Sequence, residues 1–296
     1  MDELVAQTQL HRRSLISYVY RLTGSMEDAK DITQETILRL IVSKDQDIKN
    51  AKAWMFKVAT NLSLDLFKRI KKRREVYIGP WLPEPYIEDE SIEHDLEIDE
   101  SLSMALLVVM EKLGPKERVA YILHDLFEFH HKEIADILNT TPQNSRQITS
   151  RAMKKLQVNK KKYSPSKSEH LALTNSFVNA LKYGDFDALK QLFSEAIIIH
   201  TDGGGKAIAS RKILDRGSEF TSKLLIRVVS SLFGKNNEHS ELKVFWFNGS
   251  PGVKQIENGK VTTLYGFEVL DRKIGRIFTV RNPDKLEQIN RKLTAK

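Results

Sequence analysis

Residues 132–156 read KEIADILNTTPQNSRQITSRAMKKL, and the fold of the first half of the chain turns on them. Ile134, Ala135 and Leu138 recur at helical spacing and stop at Asn139, a residue that tolerates the left-handed conformation closing a helix. Thr141 then offers an N-cap oxygen, and Pro142 suits a first helical position. The pattern spells a short helix, a tight turn and a second helix. That second helix keeps Ile148, Ala152 and Leu156 for packing. It turns out Arg146, Gln147, Ser150 and Arg151, whose donors suit base edges or phosphates in a major groove. An ordinary helical hairpin with basic decoration carries the same pattern, so the rest of the chain has to decide.

Composition narrows the partner. The 296 residues, 41% of them hydrophobic, allow two or three domains with real cores. There is no cysteine, which removes disulfides, thiolate metal sites and cysteine nucleophiles, and no metal or cofactor is expected. A net charge of +8 and a pI near 9.4 favour a polyanion such as nucleic acid. No run approaches the roughly 18 apolar residues of a membrane span, and MDELVAQTQL lacks the basic-then-apolar order of a secretory signal. A cytoplasmic protein that makes no use of a membrane is expected.

Charge is unevenly spread. In KRIKKRR, residues 68–74, six of seven are basic, whereas residues 84–100 hold nine acids and neither lysine nor arginine. A further basic run ends at Lys160, Lys161 and Lys162, followed by Ser164, Pro165 and Ser166. The chain therefore divides into a helical block 1–75, an acidic connector 76–103, a second helical block 104–160, a linker 161–170 and a C-terminal domain 171–296. In the first block Trp54, Val58, Leu62 and Leu66 recur every fourth residue and are expected to form the core stripe. Lys57, Asn61, Asp65 and Lys68 make a polar row beside it, and the adjoining basic run, Lys68 and Arg69 included, suits phosphates.

The C-terminal domain reads as α+β. An amphipathic helix through Leu171, Val178 and Leu181 precedes the apolar run Ile197–His200, then Gly203, Gly204 and Gly205, then a helix over 219–232. Strands are expected at 242–247, 253–256, 261–269 and 273–280, with Asn258-Gly259 as a hairpin turn. Helices followed by a mainly antiparallel sheet imply a curved sheet wrapped on helices. His200 and Asp202 close a strand and form a conceivable acid–base pair, which keeps an enzyme with a DNA-binding appendage as an alternative. DGGGK, residues 202–206, is not a phosphate loop, since Ala207 stands where Ser or Thr is needed.

LTGSMEDAKDITQETILRL at 22–40, AWMFKVATNLSLDLFKRIKKRR at 53–74 and the helix-turn-helix stand in an order that resembles the extracytoplasmic-function sigma factors of bacterial RNA polymerase. The C-terminal domain resembles the SnoaL-like cone fold. WLPEP (81–85), DGGGK (202–206) and NPDKL (282–286) together resemble the subgroup in which the two are fused. The resemblance implies two small all-α domains plus an α+β cone, and a factor that binds core polymerase at its clamp and flap and directs transcription initiation at promoter DNA. It gives Asp28, Asp31, Gln34 and Glu35 to the clamp. Lys57 and Asn61, with Lys68 and Arg69, go to the minus-ten element, and Arg146, Gln147, Ser150 and Arg151 to the minus-thirty-five element. It also implies regulation in cis with no separate anti-sigma factor. A small-molecule ligand in the C-terminal domain, and a helix-turn-helix regulator acting without polymerase, remain alternatives.

WLPEP raises its own question, because prolines hold the residues before them extended and leave Trp81 projecting from a stiff strip. Trp81, Leu82 and Pro83 are expected to lie on the C-terminal domain. Asp202, Gly203, Gly204, Gly205 and Lys206 would meet them from one side, and Asn282, Pro283, Asp284, Lys285 and Leu286 from the other. The acids from Glu88 to Glu100 are expected either to mimic nucleic acid in the polymerase exit path or to form a solvated tether.

Overall fold

A computed structural model describes residues 2–43, 48, 50–74, 76–87, 103–156, 165–230 and 240–294, with side chains from residue 8 and excluding those of 70–74, 293 and 294. The acidic strip 88–100, the lysines at 160–162, the side chains of residues 71–74 and the last two residues of the helix expected over 219–232 lie outside this description. The chain forms two compact units. One joins Met1–Val76 to Leu106–Asn159, and the other joins Tyr77–Ala105 to Lys160–Lys296.

In the first unit, α1 (Asp2–Thr23), α2 (Met26–Val42) and α3 (Ala51–Arg74) pack around Leu15, Tyr18, Leu22, Leu40, Met55 and Phe56. Ser25 caps α2 by accepting from the Asp28 amide at 3.2 Å. The buried face of α3 is not the one its apolar residues suggest. Met55, Phe56, Ala59, Thr60 and Ser63 are buried, whereas Trp54, Val58, Leu62 and Leu66 are half-buried. Thr60 and Ser63 are able to go inside because each hydroxyl donates to the carbonyl four residues back, at 2.6 and 2.7 Å, which leaves no orphaned polar atom. The Tyr18 hydroxyl adds a 2.6 Å bond to Thr60.

The second segment of this unit runs through α4 (Met104–Met110), α5 (Pro115–Tyr121), one turn of π-helix (Ile122–Leu126), α6 (His131–Ile137) and α7 (Pro142–Leu156). Asn139 takes φ +49°, the Thr141 hydroxyl accepts from the Asn144 amide, and Pro142 opens α7, as the sequence requires. Glu117 ties the start of α5 to the end of α7, accepting from the Gly114 amide at 2.8 Å and from Lys155 at 2.7 Å. The two segments meet through aromatic rings: Phe127 and Phe129 lie 5.5 and 5.0 Å from Phe56, ring centre to ring centre. Arg118, only 3% exposed, donates to the Leu22 carbonyl at 2.7 Å and pairs with Glu111 at 2.8 Å. Burial lowers its pKa to about 10.

The second unit is α+β. Helices α8 (Lys167–Tyr183), α9 (Phe186–Leu192) and α10 (Gly217–Ser230) pack on a five-stranded sheet, and α11 (Pro283–Thr294) closes the chain. The strands are β1 (Phe193–Asp202), β2 (Ser240–Phe247), β3 (Ser250–Glu257), β4 (Lys260–Leu270) and β5 (Lys273–Val280), in the order β1-β5-β4-β3-β2. β2 to β5 are antiparallel, and β1 adds to β5 in parallel. Positive φ angles at Asn248-Gly249, Asn258-Gly259 and Asp271-Arg272 mark three two-residue hairpin turns. Phe177, Phe193, Ile197, Ile199, Tyr265, Phe267 and Ile277 fill the core between helices and sheet. Ser166 caps α8 in a capping box with Glu169. Among the described residues no helix is long and apolar enough to cross a membrane.

Candidate functional site: linker clasp and recognition faces

Asp202 ends β1, and its carboxylate is completely buried. One oxygen accepts from the Tyr77 hydroxyl at 2.6 Å. The other accepts from the Leu82 amide at 2.9 Å and from the Lys285 ammonium at 2.7 Å. Lys285 also donates to the Leu82 carbonyl, so both polar groups of the Leu82 backbone are bound to the C-terminal domain. The ammonium lies 4.3 Å from the centre of the Trp81 ring and 5.3 Å from that of Tyr77. Trp81 therefore covers a cation instead of sinking into an apolar core. Leu82, Pro83 and Pro85 are buried, Leu82 fully.

The positions of these groups follow from local chemistry. β1 and β5 run in parallel, so their C-terminal ends emerge side by side, and the Arg281 and Asn282 amides both donate to the Asp202 carbonyl, at 2.7 and 2.9 Å. Asn282 opens α11 by accepting from the Asp284 amide, while its side-chain amide donates to the Tyr77 hydroxyl at 2.9 Å. The glycines let the linker in. Gly204 has φ +58°, and a β-carbon there would meet the Asn282 amide nitrogen, with the Tyr77 hydroxyl 3.1 Å away. At Gly205, φ +74°, it would stand 2.8 Å from Ile78. A β-carbon at Gly203 would lie 2.5 Å from the Ala207 carbonyl. Lys206 pairs with Asp284 at 2.6 Å in an exposed bridge, Pro283 is the first residue of α11, and Leu286 is buried. Burial, reinforced by Asp202, raises the Tyr77 pKa above its ordinary value, so the phenol stays a donor.

The acid–base alternative loses its base here. Both Asp202 oxygens are committed to the linker and Lys285. His200 and Asp202 also alternate along β1 with Ile197 and Ile199, which face the core, so the pair points away from the domain interior. Tyr77 had no signal of its own in the sequence, and the Asn248-Gly249 pair signalled a hairpin turn but not a contact with the linker. Tyr77 finds its partner 125 residues away, and Asn248 accepts from the Tyr86 amide at 3.1 Å while its own amide donates to the Tyr86 carbonyl at 2.8 Å. An aromatic beside a proline-rich strip was the only available hint.

In the first unit, Asp31, Gln34 and Glu35 are exposed on α2, Asp28 is half-buried, and Glu35 pairs with Arg39 at 2.7 Å. Leu38, Ile41 and Val42 continue this helix with 49%, 43% and 79% exposure, an apolar extension that reading for acids alone passed over. On α3, Asn61, Lys68 and Arg69 are exposed and Lys57 is half-buried, with Lys68 paired to Asp65. On α7, Arg146, Gln147, Ser150 and Arg151 are all exposed, opposite buried Ser145, Ile148, Thr149 and Ala152.

Residues 8–74 match the family model of sigma-70 region 2, and residues 103–156 match that of sigma-70 region 4. The chain is 32% identical to the ECF RNA polymerase sigma factor SigJ of Mycobacterium tuberculosis over 292 residues, which span 95% of this chain and 92% of that one. It is 24% identical over 295 residues to the probable ECF RNA polymerase sigma factor SigI of the same species, covering 99% and 98% of the two chains. The crystal structure of M. tuberculosis SigJ superposes with a TM-score of 0.75 at 29% identity, over 96% of this chain and 98% of that one.

Proposed function

The chain belongs to the extracytoplasmic-function RNA polymerase sigma factors, which direct polymerase to promoters, and from that premise we propose that its C-terminal domain regulates it in cis by gripping the tether between regions 2 and 4. The supporting observation is the fully buried Asp202 carboxylate, bonded to Tyr77, Leu82 and Lys285. A free tether lets two promoter-binding segments search independently, whereas a gripped one limits their separation and changes the effective concentration of the second contact.

The other assignments follow the same premise. The acids and amide of α2, with Leu38 and Ile41 beside them, suit a basic, partly apolar helix of the polymerase clamp. Lys57, Asn61, Lys68 and Arg69 serve the minus-ten element, where opened bases expose all their edges. Arg146, Gln147, Ser150 and Arg151 serve the minus-thirty-five element. The protein works in the cytoplasm, and the flap of polymerase is the partner of region 4.

Transcription in vitro with purified core polymerase tests this, comparing the full chain, a form ending at Pro165, and Asp202→Asn. Both altered forms should change promoter-dependent output in the same direction with no other protein present, which also makes a separate anti-sigma factor unnecessary. Equal output from all three would refute regulation in cis. Tight promoter binding that does not need core polymerase would favour a regulator acting alone.

A further inference from the structure

We infer that Gln143, outside the set of residues assigned above, reads a base edge in the minus-thirty-five element and sets its specificity, as a further reader on the recognition helix proposed in the preceding subsection. The start of α7 has a division of labour. Asn144 is consumed by the turn: its side-chain amide donates to the Thr140 hydroxyl at 2.6 Å and its backbone amide to Thr141. Ser145 is fully buried and bonded to His131 at 3.2 Å, and Thr149 is buried with its hydroxyl donating to the Ser145 carbonyl. Gln143 stands apart from these. It is exposed, and among the described residues its amide takes part in no hydrogen bond.

Its place decides what a free amide there does. In helix-turn-helix docking the N-terminal turns of the second helix go deepest into the major groove. Gln143 occupies the second position of α7 and shares a face with Arg146 and Gln147, three and four residues on. A neutral amide gains little from phosphates, but its carbonyl and NH2 match the N6 donor and N7 acceptor of adenine as a two-point contact. Side chains four apart on a helix rise about 6 Å. At about 3.4 Å per base pair, Gln143 and Gln147 address positions roughly two base pairs apart.

The test is promoter selection by the holoenzyme from templates randomised across the minus-thirty-five element, with salt titration of binding to the selected promoter. Gln143→Ala should lose about tenfold discrimination at one base pair and leave the salt slope unchanged, because no phosphate contact is removed. Gln143→Glu should move the preference at that position toward cytosine, whose N4 amino group donates to a carboxylate. Gln147→Ala should relax a different position about two base pairs away. If Arg146→Ala relaxes selection while both Gln143 variants keep the parent preference at every position, this inference fails and the recognition-helix reading stands. If Arg146→Ala and Gln147→Ala also leave selection untouched, that reading fails with it. Because Gln143 is exposed at a helix start capped by Thr141, unchanged thermal melting of its variants will separate lost reading from lost folding.

Discussion

Replacing Asp202 by Asn isolates the clasp. The substitution keeps the shape and leaves an oxygen that can still accept from Tyr77 or Leu82, but it strands the Lys285 ammonium, whose side chain is 8% exposed beside a fully buried carboxylate. Breaking one side of a buried ion pair costs about 3–5 kcal/mol. Lys285 retains the Leu82 carbonyl and two aromatic faces, which puts the cost near the lower end, about 3 kcal/mol, or a factor of about 100 in the opening equilibrium. The Leu82 amide reports this directly, since its bond is to the Asp202 carboxylate itself. Hydrogen exchange should show protection at Leu82 falling by about two orders of magnitude, while amides in α7 keep theirs. Lys285→Met added to Asp202→Asn should recover part of the loss by removing the stranded charge. A Leu82 exchange rate within about threefold of the parent would refute the argument, because a bond worth so little does not hold a tether.

Other outcomes follow from the same geometry. Gly204→Ala should release the linker by displacing Asn282 and forcing a left-handed alanine, costing about 1–2 kcal/mol from backbone strain alone; differential scanning calorimetry should show it in the C-terminal transition. Trp81→Ala removes one ring from the Lys285 ammonium, worth about 0.5–2 kcal/mol, and should raise Leu82 exchange less than Asp202→Asn does. Phe127→Ala removes ring contacts with Tyr18 and Phe56 and should lower the melting temperature of the first unit, whereas an exposed change such as Lys132→Ala should not. His131 titrates below its ordinary value because of burial and the neighbouring His124 and Arg146 charges. Its folded pKa therefore lies below the unfolded one, and its contribution is complete above about pH 6.5 and is lost as pH falls through the window beneath. The gap between melting curves at pH 7.5 and 5.5 should narrow in His131→Gln, with His11, whose pKa burial also lowers, keeping part of it, and an unchanged gap would count against this.

The helix-turn-helix was legible because its signals are local: a capping hydroxyl, a proline and a left-handed asparagine lie within four residues and need no distant partner. The strands of the hairpins were legible for the same reason. The buried face of α3 was not, because hydrophobicity ranks Leu62 above Ser63, while a helical hydroxyl that bonds its own backbone buries at little cost. The parallel pairing of β1 with β5 left no trace, since it joins residues 78 apart, as Ile199 with Ile277, across a helix and three hairpins. Tyr77 and the linker contact of Asn248 were invisible for the same reason, although the WLPEP, DGGGK and NPDKL signatures held Trp81, Leu82, Asp202, Asn282 and Lys285. Motifs named the participants there, and only the fold showed which atom each one used.

The distance in sequence between Leu82 and Lys285, 203 residues, also sets an order of events during synthesis. At roughly 5–20 residues per second, Leu82 is added to the chain about 10–40 s before the lysine that binds its carbonyl. Throughout that interval regions 2 and 4 exist on a nascent chain whose linker has not yet met Lys285. A ribosome stalled late in the message, or a nonsense codon just upstream of α11, thus yields a factor with both promoter-reading segments and no clasp.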